Sequence, residues 1–264
     1  MTKIGTVLIL ITMLVLNACD KKETASEILQ KSINTIDSIE TIYFKQDMAR
    51  TNPKDIKDTI HRHREMYFSR LLMDSVVGVK GHWYMYVNDK INVIYEDVYD
   101  GNKLIRKNNR DSVASIYDLI KYPEFKQKHF WGHNTPFGMQ YEFKYILKNL
   151  NSYAIERLND TLLDDTYCFQ IVVGLENKMT MPGFATTLED HKGSISKTLY
   201  FIDKEKYYPI RMKSERYSAE NSEQKTFIDQ IYYDLKFNLK IDEGLRFNTS
   251  DESITGYEIK EIKP

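Results

Sequence analysis

The stretch "QKTFIDQIYYDLKFNLKI", residues 224–241, constrains the fold more than any other. Apolar and polar side chains alternate along it. Phe227, Ile231, Tyr233, Leu235, Phe237 and Leu239 share one face, with Gln230, Asp234, Lys236 and Asn238 on the other. A period of two is the mark of a half-buried strand. An ordinary strand has about five or six residues. A much longer one with an apolar face needs a sheet that twists and curls around what it buries. The chain is therefore expected to build a strongly curved antiparallel sheet or a partial barrel.

The rest of the chain supplies partners for that strand. From residue 40 the pattern has period two again. "ETIYFKQDM" puts Ile42, Phe44 and Met48 on one face, and "DTIHRHREMYFS" follows as a second strand. "HWYMYVND" turns Trp83, Met85 and Val87 one way and Tyr84 and Tyr86 the other. "INVIYEDVYDGNKLIRKNN" reads as two strands joined at Asp100-Gly101, a strong hairpin signal. After residue 151, "SYAIERLND", "DTYCFQIVVGLE", "SISKTLYFIDKE" and "KYYPIRMKSER" continue the strands, and "LRFNTSDESITGYEIKEI" closes the chain with an edge strand.

Helical spacing occurs in three places. Thr24 and Glu27 form a capping box ahead of Ile28, Leu29, Ile33 and Ile36. "DSVASIYDLIKYP" carries Val113, Ile116, Tyr117 and Ile120 at i, i+3, i+4 and i+7. Asp111 or Ser112 would cap that helix and Pro123 would stop it. "TPFGMQYEFKYILKNL" has Thr135 as N-cap, Pro136 at N1 and a stripe of Phe143, Ile146, Leu147 and Leu150. The expected class is α+β: the curved sheet, covered by an N-terminal helix and two central helices. No linker rich in Pro, Gly or Ser divides residues 19–264, which read as a single domain.

Residues 1–18 read as a signal peptide. Lys3 precedes an apolar run, Ile4 to Leu16, too short for the roughly twenty residues of a membrane span. The run ends in Leu16-Asn17-Ala18-Cys19, which resembles a bacterial lipobox. There the cysteine sulfur is acylated and the chain is cut before it. Two or more acyl chains anchor stably where one is marginal. The expected location is the periplasmic side of the bacterial cell envelope, with the outer membrane favoured over the inner. Of the two cysteines only Cys168 then remains as a thiol, in a strand-like context that makes it a core residue. Without a C-x-x-C, dithiol redox chemistry is excluded. A net charge of -1 gives no basic excess to hold a phosphate backbone, so nucleic acid is not expected as a partner.

Catalytic signatures are absent: no G-x-S-x-G, P-loop or H-E-x-x-H occurs. His61, His63 and Glu65 would share one strand face, a spacing that can hold a metal, with Arg62 and Arg64 pointing the opposite way. No third ligand spacing accompanies the pair. His129 and His133 flank Trp131 in an aromatic loop. No catalytic residue, metal or cofactor is assigned. Residues 175–194 join two strands and carry Met179, Met181 and Phe184. Such a connection is a lid or binding loop, or an insertion with incidental apolar residues.

Several segments together resemble the outer-membrane lipoprotein carrier and receptor superfamily, the LolA/LolB-like proteins. They are "ASEILQKSINTIDSIETIYFKQDM", "VYDGNKLI", "TYCFQIVVGLE", "SKTLYFIDKEKYYPIRMKSER", "FIDQIYYDLKFN" and "LRFNTSDESITGYEI", spread over residues 24–260. The resemblance implies a half-open barrel with helices as a lid over an apolar cavity that takes acyl chains. Trp83, Met85, Phe130, Trp131 and Phe137 are the candidate cavity residues, and Met179, Met181 and Phe184 the candidate lid residues. The implied function is that of an envelope lipoprotein, anchored through Cys19. It would bind a lipid or other hydrophobic ligand and take part in lipid or lipoprotein transport, with a lipoprotein or envelope protein as partner. A non-enzymatic interaction lipoprotein with a filled core is the alternative. An enzyme using His61, His63 and Glu65 is the third reading.

Overall fold

A computed structural model of the chain describes residues 22–52, 54–72, 77–86, 92–125, 135–181 and 187–263. Helix α1 (Ala25–Asp37) opens it. Its capping box forms as the sequence predicts. The Thr24 hydroxyl accepts from the Glu27 backbone N–H at 3.2 Å, and a Glu27 carboxylate oxygen accepts from the Thr24 backbone N–H at 2.7 Å. Ile28, Leu29, Ile33 and Ile36 are buried. At its far end, Arg70 donates to the carbonyls of Ile36 at 2.6 Å and Ile39 at 2.9 Å, satisfying groups that a helix end leaves open.

Six strands follow: β1 (Thr41–Asn52), β2 (Asp55–Arg70), β3 (Val79–Tyr86), β4 (Val93–Tyr99), β5 (Lys103–Asn108) and β6 (Val113–Asp118). Helix α2 (Pro136–Lys148) comes next, with Thr135 accepting from the Gly138 N–H at 3.1 Å as its N-cap. Then come β7 (Ala154–Arg157), β8 (Thr161–Leu163), β9 (Thr166–Met181), β10 (Thr187–Asp203), β11 (Pro209–Ser218) and β12 (Asn221–Phe237). A short helix α3 (Glu243–Arg246) precedes the edge strand β13 (Glu258–Glu261).

All thirteen strands belong to one sheet, ordered β13-β6-β5-β4-β3-β2-β1-β12-β11-β10-β9-β7, with β8 on β9. Among the described residues, every pairing is antiparallel except β13 with β6. The path does not close on itself. Laid flat, twelve strands at about 4.8 Å spacing would spread over some 50 Å. Instead Phe68 and Trp83 from one half share a single core with Tyr200 and Ile202 from the other. The sheet is therefore curled. Both main helices feed the same core. Gln140 of α2 donates to the Ile33 carbonyl of α1, and the Phe143 ring meets Tyr200 edge-on at 5.0 Å.

Two expectations are corrected. "DSVASIYDLIKYP" does not form the first of the two central helices, because it contains β6. Asn108 closes a tight turn, its side-chain oxygen accepting from the N–H groups of Arg110 and Asp111, and returns the chain alongside β5. The strand is buried on both faces. Tyr117 enters the main core while Ala114 and Ile116 join Ile105 and Ile254 in a second cluster on the other side. Burial on both sides removed the alternation that would have identified it. Ile120, the last member of the supposed stripe, is exposed.

The second correction concerns the phase of β12. Gln230 and Tyr232 are buried, whereas Tyr233 is exposed, so the first half of the apolar set faces outward. A bulge restores the phase. Asp234 sits at φ 55°, the β1 register slips between Tyr43 and Lys45, and Leu235 and Phe237 then pack on the core.

Candidate functional site

Between the inner faces of β1–β5 and the start of α2 lies a cavity of about 490 Å³. Strand register explains its wall. Phe68, Gly81, Tyr99 and Leu104 form one row across β2 to β5, nearest the helices. The next row is Met66, Trp83, Asp97 and Arg106, and the one beyond it Arg64, Met85 and Tyr95. Arg62 follows on β2 opposite Met48, and Arg50 lies two residues further along β1. Val77, Val79 and Phe137 complete the end near the helices. One end of the cavity is thus aromatic and aliphatic, and the other is lined by guanidinium groups.

The polar end has an uneven charge balance. Asp97 is buried, and both its oxygens are taken by Arg106, at 3.0 Å to Nε and 2.7 Å to Nη2. Burial pushes the Asp97 carboxyl up, offset in part by Arg106. Arg64 donates to the Gln46 side-chain oxygen at 3.1 Å, and Gln46 in turn donates to Gln230 at 2.6 Å. Burial, then Arg62 beside it, pushes the Arg64 guanidinium down to about 10, so it stays charged at neutral pH. Arg62 is lowered by burial and by Arg50, and the Arg50 Nε is buried with no hydrogen-bond partner among the described residues. Among the described residues, four arginines line this cavity against one carboxylate.

Three of the five candidate cavity residues, Trp83, Met85 and Phe137, line it. Phe130 and Trp131 lie outside the described residues, as do Cys19, Phe184, His129 and His133. Much of the expected connection 175–194 is a strand hairpin. Met179 stands opposite Glu189 and Met181 opposite Thr187 in the β9–β10 register. His61, His63 and Glu65 share the outer face of β2. His63 Nδ1 is 2.6 Å from Asp47, and Glu65 accepts from the Tyr67 hydroxyl at 3.1 Å. Among the described residues, no three His, Cys, Asp or Glu side chains are grouped to hold a metal ion. Cys168 is buried, which pushes its thiol up to about 11.

The arginines are what the sequence reading missed, though the signal was present. In "IHRHREMYF" the inward residues Met66 and Phe68 are in phase with Arg62 and Arg64, and in β1 Ile42, Phe44 and Met48 are in phase with Arg50. Charged residues in phase with an apolar strand face point into the interior.

No family model matches the chain, and no curated protein matches it. Solved structures do. The chain is similar to the lipoprotein LppX of Mycobacterium tuberculosis, at 9% identity and a TM-score of 0.47, over 83% of this chain and 98% of that one. It is similar to a LolA superfamily protein of Nitrosomonas europaea, at 10% identity and a TM-score of 0.37, over 87% and 99%. A chain of the Pseudomonas aeruginosa MucA/MucB complex is similar at 8% identity and a TM-score of 0.43, over 88% of this chain and 60% of that one. At such TM-scores, function has to be read from this chain's own cavity.

Proposed function

We propose that this chain is a binding protein that takes the acyl part of a lipid or lipid-like amphiphile into the cavity beneath β1–β5. We further propose that it works at a bacterial envelope membrane, anchored through an acylated Cys19. The observation that carries the reading is the cavity itself. Its volume falls within the roughly 300–1,000 Å³ of small-ligand sites, and one end is walled by Phe68, Trp83, Tyr99 and Phe137. Each methylene moved from water into such a space gains about 0.8 kcal/mol. An open cavity of this size argues against the filled-core alternative. Binding rather than catalysis is supported by the lining, which among the described residues contains no His, Cys or Ser and whose one carboxylate is held by Arg106. A fixed anchor close to α1 suits a receptor or static binder better than a shuttle, with lipid or lipoprotein transport as the wider role. Met179 and Met181, in the β9–β10 hairpin, are kept together with Phe184 as the proposed lid residues.

The test is native mass spectrometry of the full chain, released from a neutral detergent. The expected result is one non-covalent acyl species per chain, either co-purified or taken up from added palmitate. Only the bare mass under both conditions contradicts the reading. For the anchor, Cys19→Ser is expected to abolish metabolic acyl labelling, and persistent labelling contradicts it.

A further inference from the structure

We infer that the cavity selects amphiphiles with an anionic head, a carboxylate or a phosphate, that pairs with Arg50, Arg62 and Arg64 while the chain lies against Phe68, Trp83 and Phe137. This deepens the acyl-binding reading above and rests on it.

The argument is one of charge balance. Arg62 and Arg64 are two residues apart on the inner face of one strand, about 7 Å along it. Arg50 projects from the neighbouring strand beyond Met48, the residue opposite Arg62. Three like charges share one end of a half-enclosed space. Among the described residues none has an ion-pair partner, and the one inward carboxylate, Asp97, already gives both oxygens to Arg106. Arg50, Arg62 and Arg64 are half-buried, and charges drawn out of water are ordinarily paired, because complete desolvation costs several kcal/mol per ion. On the outer face of the same sheet Lys45 has a carboxylate partner, Asp234, at 3.2 Å. The cavity lining carries this positive excess, among the described residues, in a chain whose net charge is -1. A guanidinium fork matches a carboxylate or phosphate with two parallel hydrogen bonds, and several forks converging on one anion suit a lipid head. The gradient from arginine to aromatic along the cavity is that of an acid attached to a chain.

The experiment uses the full chain in a neutral detergent at mildly alkaline pH. The probes are dibromostearate, its methyl ester and inorganic phosphate alone. The readout is quenching of tryptophan emission, with Trp83 in the cavity wall as reporter. The acid is expected to bind at least about tenfold more tightly than the ester, the worth of one charged hydrogen-bonded pair. In Arg62→Gln/Arg64→Gln the gap closes while ester binding persists, and the melting temperature of the unliganded protein rises as like charges are removed. Equal binding of acid and ester by the unaltered chain overturns the anionic-head inference and leaves acyl binding standing. Absence of quenching by either overturns both. A gap that survives the double substitution, or a falling melting temperature, assigns the arginines a structural role and overturns the inference. Displacement of the acid by millimolar phosphate alone identifies a free-anion site and overturns the lipid-head source; no displacement supports it.

Discussion

Gly81 is the position where a single methyl group should be felt in both stability and binding. It lines the cavity between two rings, and its backbone is not at positive φ, so the objection to a side chain there is purely steric. A Cβ at residue 81 would lie 2.8 Å from Phe68 Cε1 and 2.8 Å from Trp83 Cζ3. Ordinary contact begins near 3.4 Å, so each ring must retreat by about 0.6 Å. Overpacking a closed core costs about 1–3 kcal/mol. Here both rings border open space, which puts Gly81→Ala at the low end, about 1 kcal/mol. For a chain of this size that lowers the melting temperature by about 2–4 °C. The added methyl and displaced rings occupy space that a ligand methylene would fill, worth about 0.8 kcal/mol, or roughly fourfold in affinity. Thermal denaturation and quenching titration with dibromostearate measure both. In a Phe68→Leu background, where one ring is gone, the cost of Gly81→Ala should shrink, a coupling of at least about 0.5 kcal/mol. An unchanged melting temperature and affinity for Gly81→Ala, or full additivity with Phe68→Leu, refutes the packing and the placement of the cavity.

Two further expectations follow from single groups. Burial pushes the Glu142 carboxyl on α2 from 4.5 up to about 7, with Tyr200 offsetting it in part. The folded state then keeps a proton that the unfolded chain releases, so this group's stabilisation is complete below about 4.5 and is lost as pH rises through about 7. Glu142→Gln should flatten that slope in a melting-temperature series and be the more stable protein at alkaline pH; an unchanged slope removes Glu142 from the account. At the β12 bulge, Asp234 holds φ 55°, a conformation that β-branched residues resist by about 1–2 kcal/mol. Urea unfolding should show Asp234→Val destabilised by about that much and Asp234→Gly near neutral, since the exposed pair with Lys45 contributes little. Equal stability of the two variants argues against the bulge.

Where one face of an element is wet, the sequence declares the element. The Thr24 box, the Asp100-Gly101 hairpin and the outer face of β2 were legible for that reason. Both errors arise where that contrast fails. β6 is buried on two sides, so Val113, Ile116 and Tyr117 mimic a helical stripe. β12 changes face at Asp234, and a one-residue bulge reverses parity without altering composition. The apolar half of the cavity was partly legible, through Trp83, Met85 and Phe137, because aromatic and sulfur side chains mark interiors. Arg62 and Arg64 were placed on the strand face opposite the histidines but not connected with the cavity. Their phase with Met66 and Phe68 marks that face as the inner one, and the pairing of β2 with β1 and β3 brings them to one end of the cavity with Arg50.

The central claim, an acyl chain held inside the sheet, is tested most directly by photo-crosslinking. A fatty acid bearing a diazirine near its chain end is irradiated with the full chain, and the modified residues are located by peptide mass spectrometry. The account predicts adducts on the inner positions of β2 and β3, at Met66, Phe68, Val79 and Trp83. Adducts confined to the outer face, at Tyr67, His82 or Tyr84, would contradict it.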